Sequence, residues 1–196
     1  MNMKSQIISF VDTETTGLDP YEDDVIQIAV LKMVHPAGSY LLHPIEGGEM
    51  EIKVFPRKPV PPEVAAINGY SEEVWAKEAV TPDVAMLKFL KFIEWTNFGG
   101  QNPAFDNAFL KEAAKRCKLP WPKMQGYRLI ATEMLAWPLL LNGKIPNVKQ
   151  ETLVRYLGIG EQTHDALDDV RQCAQIYGKL IGYVARSVAE FDPLKG

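Results

Sequence analysis

The residues with the clearest chemical content close an apolar run near the start of the chain. Ile7-Ile8-Ser9-Phe10-Val11 is followed at once by Asp12-Thr13-Glu14-Thr15-Thr16-Gly17-Leu18. Apolar residues fill both alternation sets of the run, which reads as a strand buried on both faces. Side chains alternate along a strand, so Asp12 and Glu14 project to the same side. Two carboxylates paired at the end of a buried strand repel each other and lose hydration, so something must neutralise them. A hard divalent cation with oxygen ligands is the usual answer. The competing reading is a polar strand end followed by a Thr-Thr-Gly turn with no chemistry.

Two more places supply groups of the same kind. Asp106 falls in the first turn of a helix expected over Ala104–Cys117 and shares a face with Leu110, Ala113, Ala114 and Cys117. An acidic residue serving only the helix dipole would face solvent; this one faces the core. A last helix, from about His164 or Asp165 to near Ala189, carries its apolar face on Ala166, Val170, Cys173, Tyr177 and Leu180. At 100° per residue Asp169 lies about 60° from Ala166, whereas Asp168 lies about 160° away. Asp169 is therefore the inward member of the pair and Asp168 a surface charge. His164, just before it, is a candidate general base, because imidazole titrates near neutral pH; the alternative is a capping or surface imidazole. His35 and His43 lie at strand ends without acidic company and read as structural. Dense carboxylate with little His and no Cys favours Mg2+ or Mn2+ over zinc. Such a set suits phosphoryl chemistry in which two metal ions clamp an in-line displacement.

The elements that must position these groups are legible in outline. After a turn at Gly17–Pro20, Val25–Val34 reads as a second buried strand. Tyr40–Ile45 and Met50–Phe55 read as a third and fourth strand joined in a hairpin around Gly47-Gly48. Strands one to four are expected as antiparallel neighbours. Pro62-Glu63 opens a short helix that ends at Asn68-Gly69. Thr81-Pro82-Asp83 starts another, with apolar residues at helical spacing through Ile93. Phe98–Asn102 is expected as a short central strand emerging at the site, and the segment near Tyr127–Ile130 as a last strand parallel to it. Thr132–Leu141 and Val148–Leu157 read as two further helices. Strands first and helices later predict a mixed sheet covered by helices, in one domain over residues 1–196.

Bulk properties narrow the function classes. The 196 residues are 46% apolar and 23% charged, ordinary for a soluble globular protein. The formal charge of −4 argues against holding nucleic acid on a broad basic surface, and leaves open an enzyme whose acids are metal ligands. Lys111, Lys115, Arg116 and Lys118 form the one basic cluster, readable either as a surface that tracks a strand or as a solvated face. No window approaches the roughly 18 apolar residues of a membrane span, and no signal-peptide pattern precedes the first strand. No membrane association is expected, and the default location is cytoplasmic. Cys117 and Cys173 read as reduced core thiols.

The motifs resemble those of the DEDDh exonucleases, the 3′–5′ exonuclease superfamily that includes the epsilon-type proofreading subunit of bacterial DNA polymerase III, ribonuclease T and oligoribonuclease. Asp-x-Glu-Thr-Thr-Gly-Leu is met by Asp12–Leu18, Asn-x-x-Phe-Asp by Asn102, Phe105 and Asp106, and His-x-Ala-x-x-Asp by His164, Ala166 and Asp169. A tyrosine subgroup would need Tyr where this chain has Asp165. Pro61–Ser71 looks like the segment that proofreading-type members place beside the terminal nucleotide, with Asn68 where His is common. Ala131-Thr132 stands where many members have Asp-Thr, an Asp that is not a metal ligand in the family pattern, and Gln27 stands where an acidic residue is frequent, a tolerable change.

The resemblance implies an RNase H-like fold, an α/β architecture with a five-stranded mixed sheet flanked by helices, and two Mg2+ or Mn2+ ions per site. It implies that Asp12, Glu14 and Asp169 hold the metal carrying the attacking water, that Asp12 bridges to a second metal supported by Asp106, and that His164 takes the proton. Thr13, Thr15, Thr16 and Gly17 would meet the terminal sugar, Leu18 would wedge between the last two bases, and Asn68, Asn102 and Phe105 would border the nucleotides. The implied substrate is a single-stranded DNA or RNA 3′ end, released as nucleoside 5′-monophosphates, with a DNA polymerase or a second copy of the chain (a homodimer) as candidate partner. Segment 61–71 leans towards DNA. An RNA-trimming enzyme of the ribonuclease T or oligoribonuclease kind is the alternative. A non-catalytic nucleic-acid- or polymerase-binding module is the alternative of another class, and would be expected to have lost at least one ligand.

Overall fold

The computed structural model describes residues 4–122, 129–163 and 165–190. Its centre is a five-stranded sheet in the order β3-β2-β1-β4-β5. Strand β1 (Gln6–Thr15) pairs antiparallel with β2 (Val25–His35), which pairs antiparallel with β3 (His43–Lys53). On its other side β1 pairs parallel with β4 (Asn97–Gly100), and β4 parallel with β5 (Leu129–Ala131). The predicted mixed, helix-flanked sheet is present, and β1 is its middle strand, with Ile8, Phe10 and Val11 at most 1% exposed.

Alternation along β1 and β2 sends their side chains to two different helical layers. One layer is α3 (Pro82–Phe92) and α4 (Pro103–Arg116), which cover Val11, Ile28 and Val30 with Met86, Phe89, Phe109 and Leu110. The other is the 25-residue α8 (Ala166–Glu190), whose Ala166, Val170, Cys173 and Tyr177 cover Ile8, Phe10, Ala29 and Leu31. Helix α8 also seats the small helices α6 (Trp137–Leu141) and α7 (Gln150–Tyr156) through Ile176 and Leu180.

Four expectations need correction. Residues 40–55 do not form a hairpin of two strands. β3 is one strand running the length of β2, with Glu49 opposite Leu31 and Pro44 opposite Met33. Residues 45–48 lie in an expanded bulge, in which Gly47 takes a left-handed φ of 64°. The glycine pair therefore kinks a strand rather than reversing it. The expected helix over 132–141 is two, α5 (Thr132–Leu135) and α6, because Pro138 has no N–H to continue the ladder past Ala136. Helix α2 (Glu72–Glu78), capped by Ser71 and burying Trp75, was not foreseen; it lies between the expected helix α1 (Pro62–Asn68) and α3. The central strand ends at Gly100 rather than Asn102, which belongs to the entry of α4. Of the last strand, residues 127 and 128 lie outside the described residues.

Candidate active site

The register of β1 decides which carboxylate meets which helix. Asp12 pairs with Ala29, and Phe10 with Leu31, so Asp12 and Glu14 stand on the α8 side of the sheet. Thr13 pairs with Ile28 and stands on the α4 side. There Asp106, in the first turn of α4, accepts a 2.8 Å hydrogen bond on Oδ1 from Thr13 Oγ1. Asp169 enters from α8, one turn after Asp165. The Asp165 carboxylate caps the helix by accepting from the amides of Leu167 and Asp168. Asp169 and Asp106 are only 4% and 6% exposed, whereas Asp168 pairs with Arg171 at the surface, as its helical phase predicts.

These four carboxyls crowd one cavity of about 400 Å³, together with Phe105, Asn102 and Gln101. Burial pushes Glu14 up to about 7, helped by the charges of Asp169, Asp106 and Asp165. Burial likewise raises Asp106 to about 7, against the Thr13 hydrogen bond, which lowers it. Asp12 is raised well above the ordinary carboxyl range by burial, then by Asp106, Glu14 and Asp169. Among the described residues the one cation lining this cavity is the exposed Lys149, so the buried acids raise one another rather than being neutralised.

Sequence reasoning missed the residues that hold these acids in place. Gln162 Nε2 donates to Asp169 Oδ2 at 2.8 Å, and Gln150 Nε2 donates to the Asp169 carbonyl at 3.0 Å. Gln101 Nε2 donates to the Val148 carbonyl at 2.7 Å, tying the end of β4 to the approach of α7. Glu133 adds a fifth carboxyl at the rim, raised by its partial burial. Only Gln101, beside the Asn102 motif, carried a local signal.

The other expected site residues are placed as follows. Thr15 Oγ1 donates to the Gly17 carbonyl, and Thr16 Oγ1 accepts from the Asp24 amide, so both hydroxyls shape the turn after β1. A Cβ on Gly17 would overlap the Asp23 carboxylate, which itself accepts from the Asp19 amide. Leu18 projects from this turn, 85% exposed. Asn68 is buried, donating to the Thr15 carbonyl and accepting from the Tyr70 amide; it fastens α1 to the end of β1. Asn102 is exposed at the cavity, and Phe105 borders it while packing on Phe109 at 4.7 Å between ring centres. His164 lies outside the described residues. Arg116, read with the lysines as a basic cluster, is a structural cation: it donates to the carbonyls of Pro20, Tyr21 and Asp23 and faces Asp24 at 3.6 Å.

Asp12, Glu14, Asp106 and Asp169 could hold a divalent metal, and the donor chemistry fits. All four are oxygen ligands, the preference of hard cations. Cys173, on the same side, is held as a neutral thiol because burial pushes it up to about 12, so it offers no thiolate. Among the described residues no three such groups stand already drawn up as a coordinating set. Thr13 and Gln162 each occupy one oxygen, of Asp106 and Asp169 respectively.

A mixed sheet whose middle strand and two helices bring carboxylates to one cleft defines the RNase H-like class of nucleases. The chain belongs to the exonuclease family: the family model RNase_T, described as exonuclease, matches residues 9–177, and its motifs are those of the DEDDh group. It is 28% identical over 195 residues to a DNA polymerase III PolC-type of Thermotoga maritima, covering 94% of this chain and 13% of the polymerase. It is 24% identical over 183 residues to ribonuclease T of Haemophilus influenzae, covering 89% of this chain and 79% of that protein. Among solved structures, E. coli exonuclease I in complex with a dT13 oligonucleotide superposes with a TM-score of 0.79 at 18% identity, over 94% of this chain and 43% of exonuclease I. This chain therefore spans a small part of the polymerase and under half of exonuclease I. No helix among the described residues is long and apolar enough to cross a membrane.

Proposed function

We propose that the protein is a metal-dependent 3′–5′ exonuclease that shortens single-stranded nucleic acid and releases nucleoside 5′-monophosphates, with DNA favoured over RNA. The observation that carries this reading is the convergence of Asp12, Glu14, Asp106 and Asp169 on one cleft, with no position of the family's acidic set replaced. A binding module descended from a nuclease would have no use for four carboxyls that strain one another.

Mg2+ or Mn2+ bound in pairs would supply a Lewis acid for the scissile phosphate and a nucleophilic water at neutral pH. Asp12, Glu14 and Asp169 would hold one such ion, and Asp12 and Asp106 the other. Gln162 and Thr13 would orient Asp169 and Asp106. His164 would accept the proton from water as its oxygen bonds phosphorus. The bond from phosphorus to the 3′ oxygen breaks, and that oxygen leaves on the shortened strand. Leu18, exposed at the turn that Gly17 allows, would wedge between the last two bases. Phe105 and Asn102 at the cleft would bound the penultimate nucleotide, and the backbone of Thr15 and Thr16 the terminal sugar. With its amide engaged within the protein, Asn68 would act by buttressing Thr15.

The kinship with polymerase III of PolC type supports DNA as substrate and a polymerase as partner; a second copy of the chain is the alternative partner. The kinship with ribonuclease T supports the second reading, an exoribonuclease. Matched single-stranded DNA and RNA oligonucleotides, incubated with Mg2+ or Mn2+ and with EDTA, separate the two. Faster metal-dependent shortening of DNA is expected; faster shortening of RNA moves the assignment to the second reading.

A further inference from the structure

Beside the catalytic cleft lies a second and larger hollow, of about 770 Å³, which the chemistry above does not use. The two share α4: Phe105 and Asp106 border the cleft, and Asn107 and Ala108 border the hollow. Its other walls are Tyr21, from the same turn that projects Leu18, and Trp121. Three exposed lysines, Lys111, Lys115 and Lys118, face it. Among the described residues the only acid in its wall is Glu112, which pairs with Lys115 at 3.1 Å. In a chain of net charge −4, this is a local concentration of positive charge set next to an acidic centre.

Two details suggest that the arrangement is more than a solvated helix face. Lys118 holds φ of 57°, the left-handed region, just past the end of α4, where the Leu119 amide closes on the Ala114 carbonyl. Glycine is the usual residue at that position because a side chain costs about 1 kcal/mol there. Lysine in its place brings a third ammonium to the hollow. Arg116, two residues before Lys118, donates to the carbonyls of Pro20, Tyr21 and Asp23, so that Tyr21 is held at the rim while 71% exposed. Cations beside exposed or half-exposed aromatic rings form the usual platform for a single strand, phosphates on the former and bases on the latter.

We infer that the Tyr21–Lys111–Lys115–Lys118 hollow binds the 5′-ward continuation of the single strand whose 3′ end occupies the cleft. This rests on the exonuclease reading for its direction, but not for its chemistry. Lys111 lies about 7.5 Å and Lys115 about 13.5 Å along the helix axis from Asp106, so the cations follow the strand away from the cut. The hollow is thus a length sensor: long strands gain phosphate contacts that a dinucleotide cannot reach.

The test compares wild type with K111Q/K115Q/K118Q, and with a control of equal charge loss, K88Q/K144Q/K179Q, at lysines elsewhere on the surface. Binding is read in EDTA by fluorescence anisotropy of a labelled 20-mer and a dinucleotide, across a salt series. The triple variant should weaken 20-mer binding at least about tenfold, leave the dinucleotide unchanged, and flatten the salt slope by about 2, from three single-strand phosphate contacts. The control should behave as wild type. In Mg2+ the triple variant should raise KM for the 20-mer without changing kcat. Equal loss in the control, or unchanged binding in the triple variant, overturns the inference. So does equal, lysine-dependent binding of an acidic peptide, which would make the hollow a protein-docking surface. If nothing is hydrolysed but lysine-dependent strand binding persists, the hollow stands as a strand-binding surface and the exonuclease reading falls.

Discussion

Thr13 Oγ1 donates a 2.8 Å hydrogen bond to Asp106 Oδ1 across 93 residues of sequence, joining the middle strand of the sheet to the first turn of α4. Thr13 stands between two acids that face the opposite way, so one residue of β1 reaches the α4 layer while its neighbours Asp12 and Glu14 reach α8. The strand's alternation thereby distributes four carboxyls around its end. Replacing Thr13 by Val keeps the β-branched shape and removes the donor. At pH 8.5, where Asp106 is ionised, stability is expected to fall by about 1.5–3 kcal/mol, the range for a hydrogen bond to a charged group, measured by denaturant unfolding in metal-free buffer. An unchanged midpoint would mean that Asp106 finds another donor.

The same crowding predicts that the acidic centre is built at the expense of the fold. Asp12 is raised by burial and by three neighbouring acids, so removing its charge relieves the others. Asp12→Asn should melt at a higher temperature than wild type in EDTA, lose the metal-induced rise in melting temperature, and lose more than about 100-fold in hydrolysis. A variant less stable in EDTA than wild type would contradict the electrostatic account.

pH dependence follows with a definite sign. Glu14 and Asp106 move from 4.5 and 3.8 to about 7 on folding. Folding therefore takes up protons between about pH 4 and 7, and the contribution of these groups to stability is lost as pH rises through that window. In EDTA the melting temperature should fall from pH 5.5 to pH 8 more steeply for wild type than for D12N/E14Q. Because a cation binds the ionised forms, saturating Mg2+ should raise it more at pH 8 than at pH 5.5. Parallel slopes for wild type and the double variant would refute the assignment of the effect to this cluster.

Gln162 is the residue to test among those without a sequence signal. It orients Asp169 through one 2.8 Å hydrogen bond. Gln162→Ala is expected to weaken metal affinity about 10–100-fold, read by calorimetric titration with Mn2+, with little change in melting temperature in EDTA. Wild-type affinity would remove Gln162 from the site.

The chemistry was legible where it is local. Asp12 and Glu14 follow from strand alternation, and helical phase picks Asp169 over Asp168 and turns Asp106 inward, in agreement with the burial of Asp169 and Asp106 and the surface position of Asp168. What could not be read depends on partners far along the chain. Arg116 looks like part of a basic run until the carbonyls of residues 20–23 come round to meet it. Gly47-Gly48 has the composition of a hairpin, and only pairing of β2 with both halves of 43–53 makes it a bulge. Gln150 and Gln162 gain their meaning solely from the position of Asp169.

Hydrolysis by the carboxylate cleft is read by following a 5′-labelled single-stranded DNA oligonucleotide with Mg2+, beside the same reaction with Asp169→Asn. Wild type should give a ladder shortening from the 3′ end one nucleotide at a time, with nucleoside 5′-monophosphates as the small product, and no ladder should appear from the variant or in EDTA. An intact strand with folded, metal-saturated wild-type protein, or an equal ladder from Asp169→Asn, would contradict it.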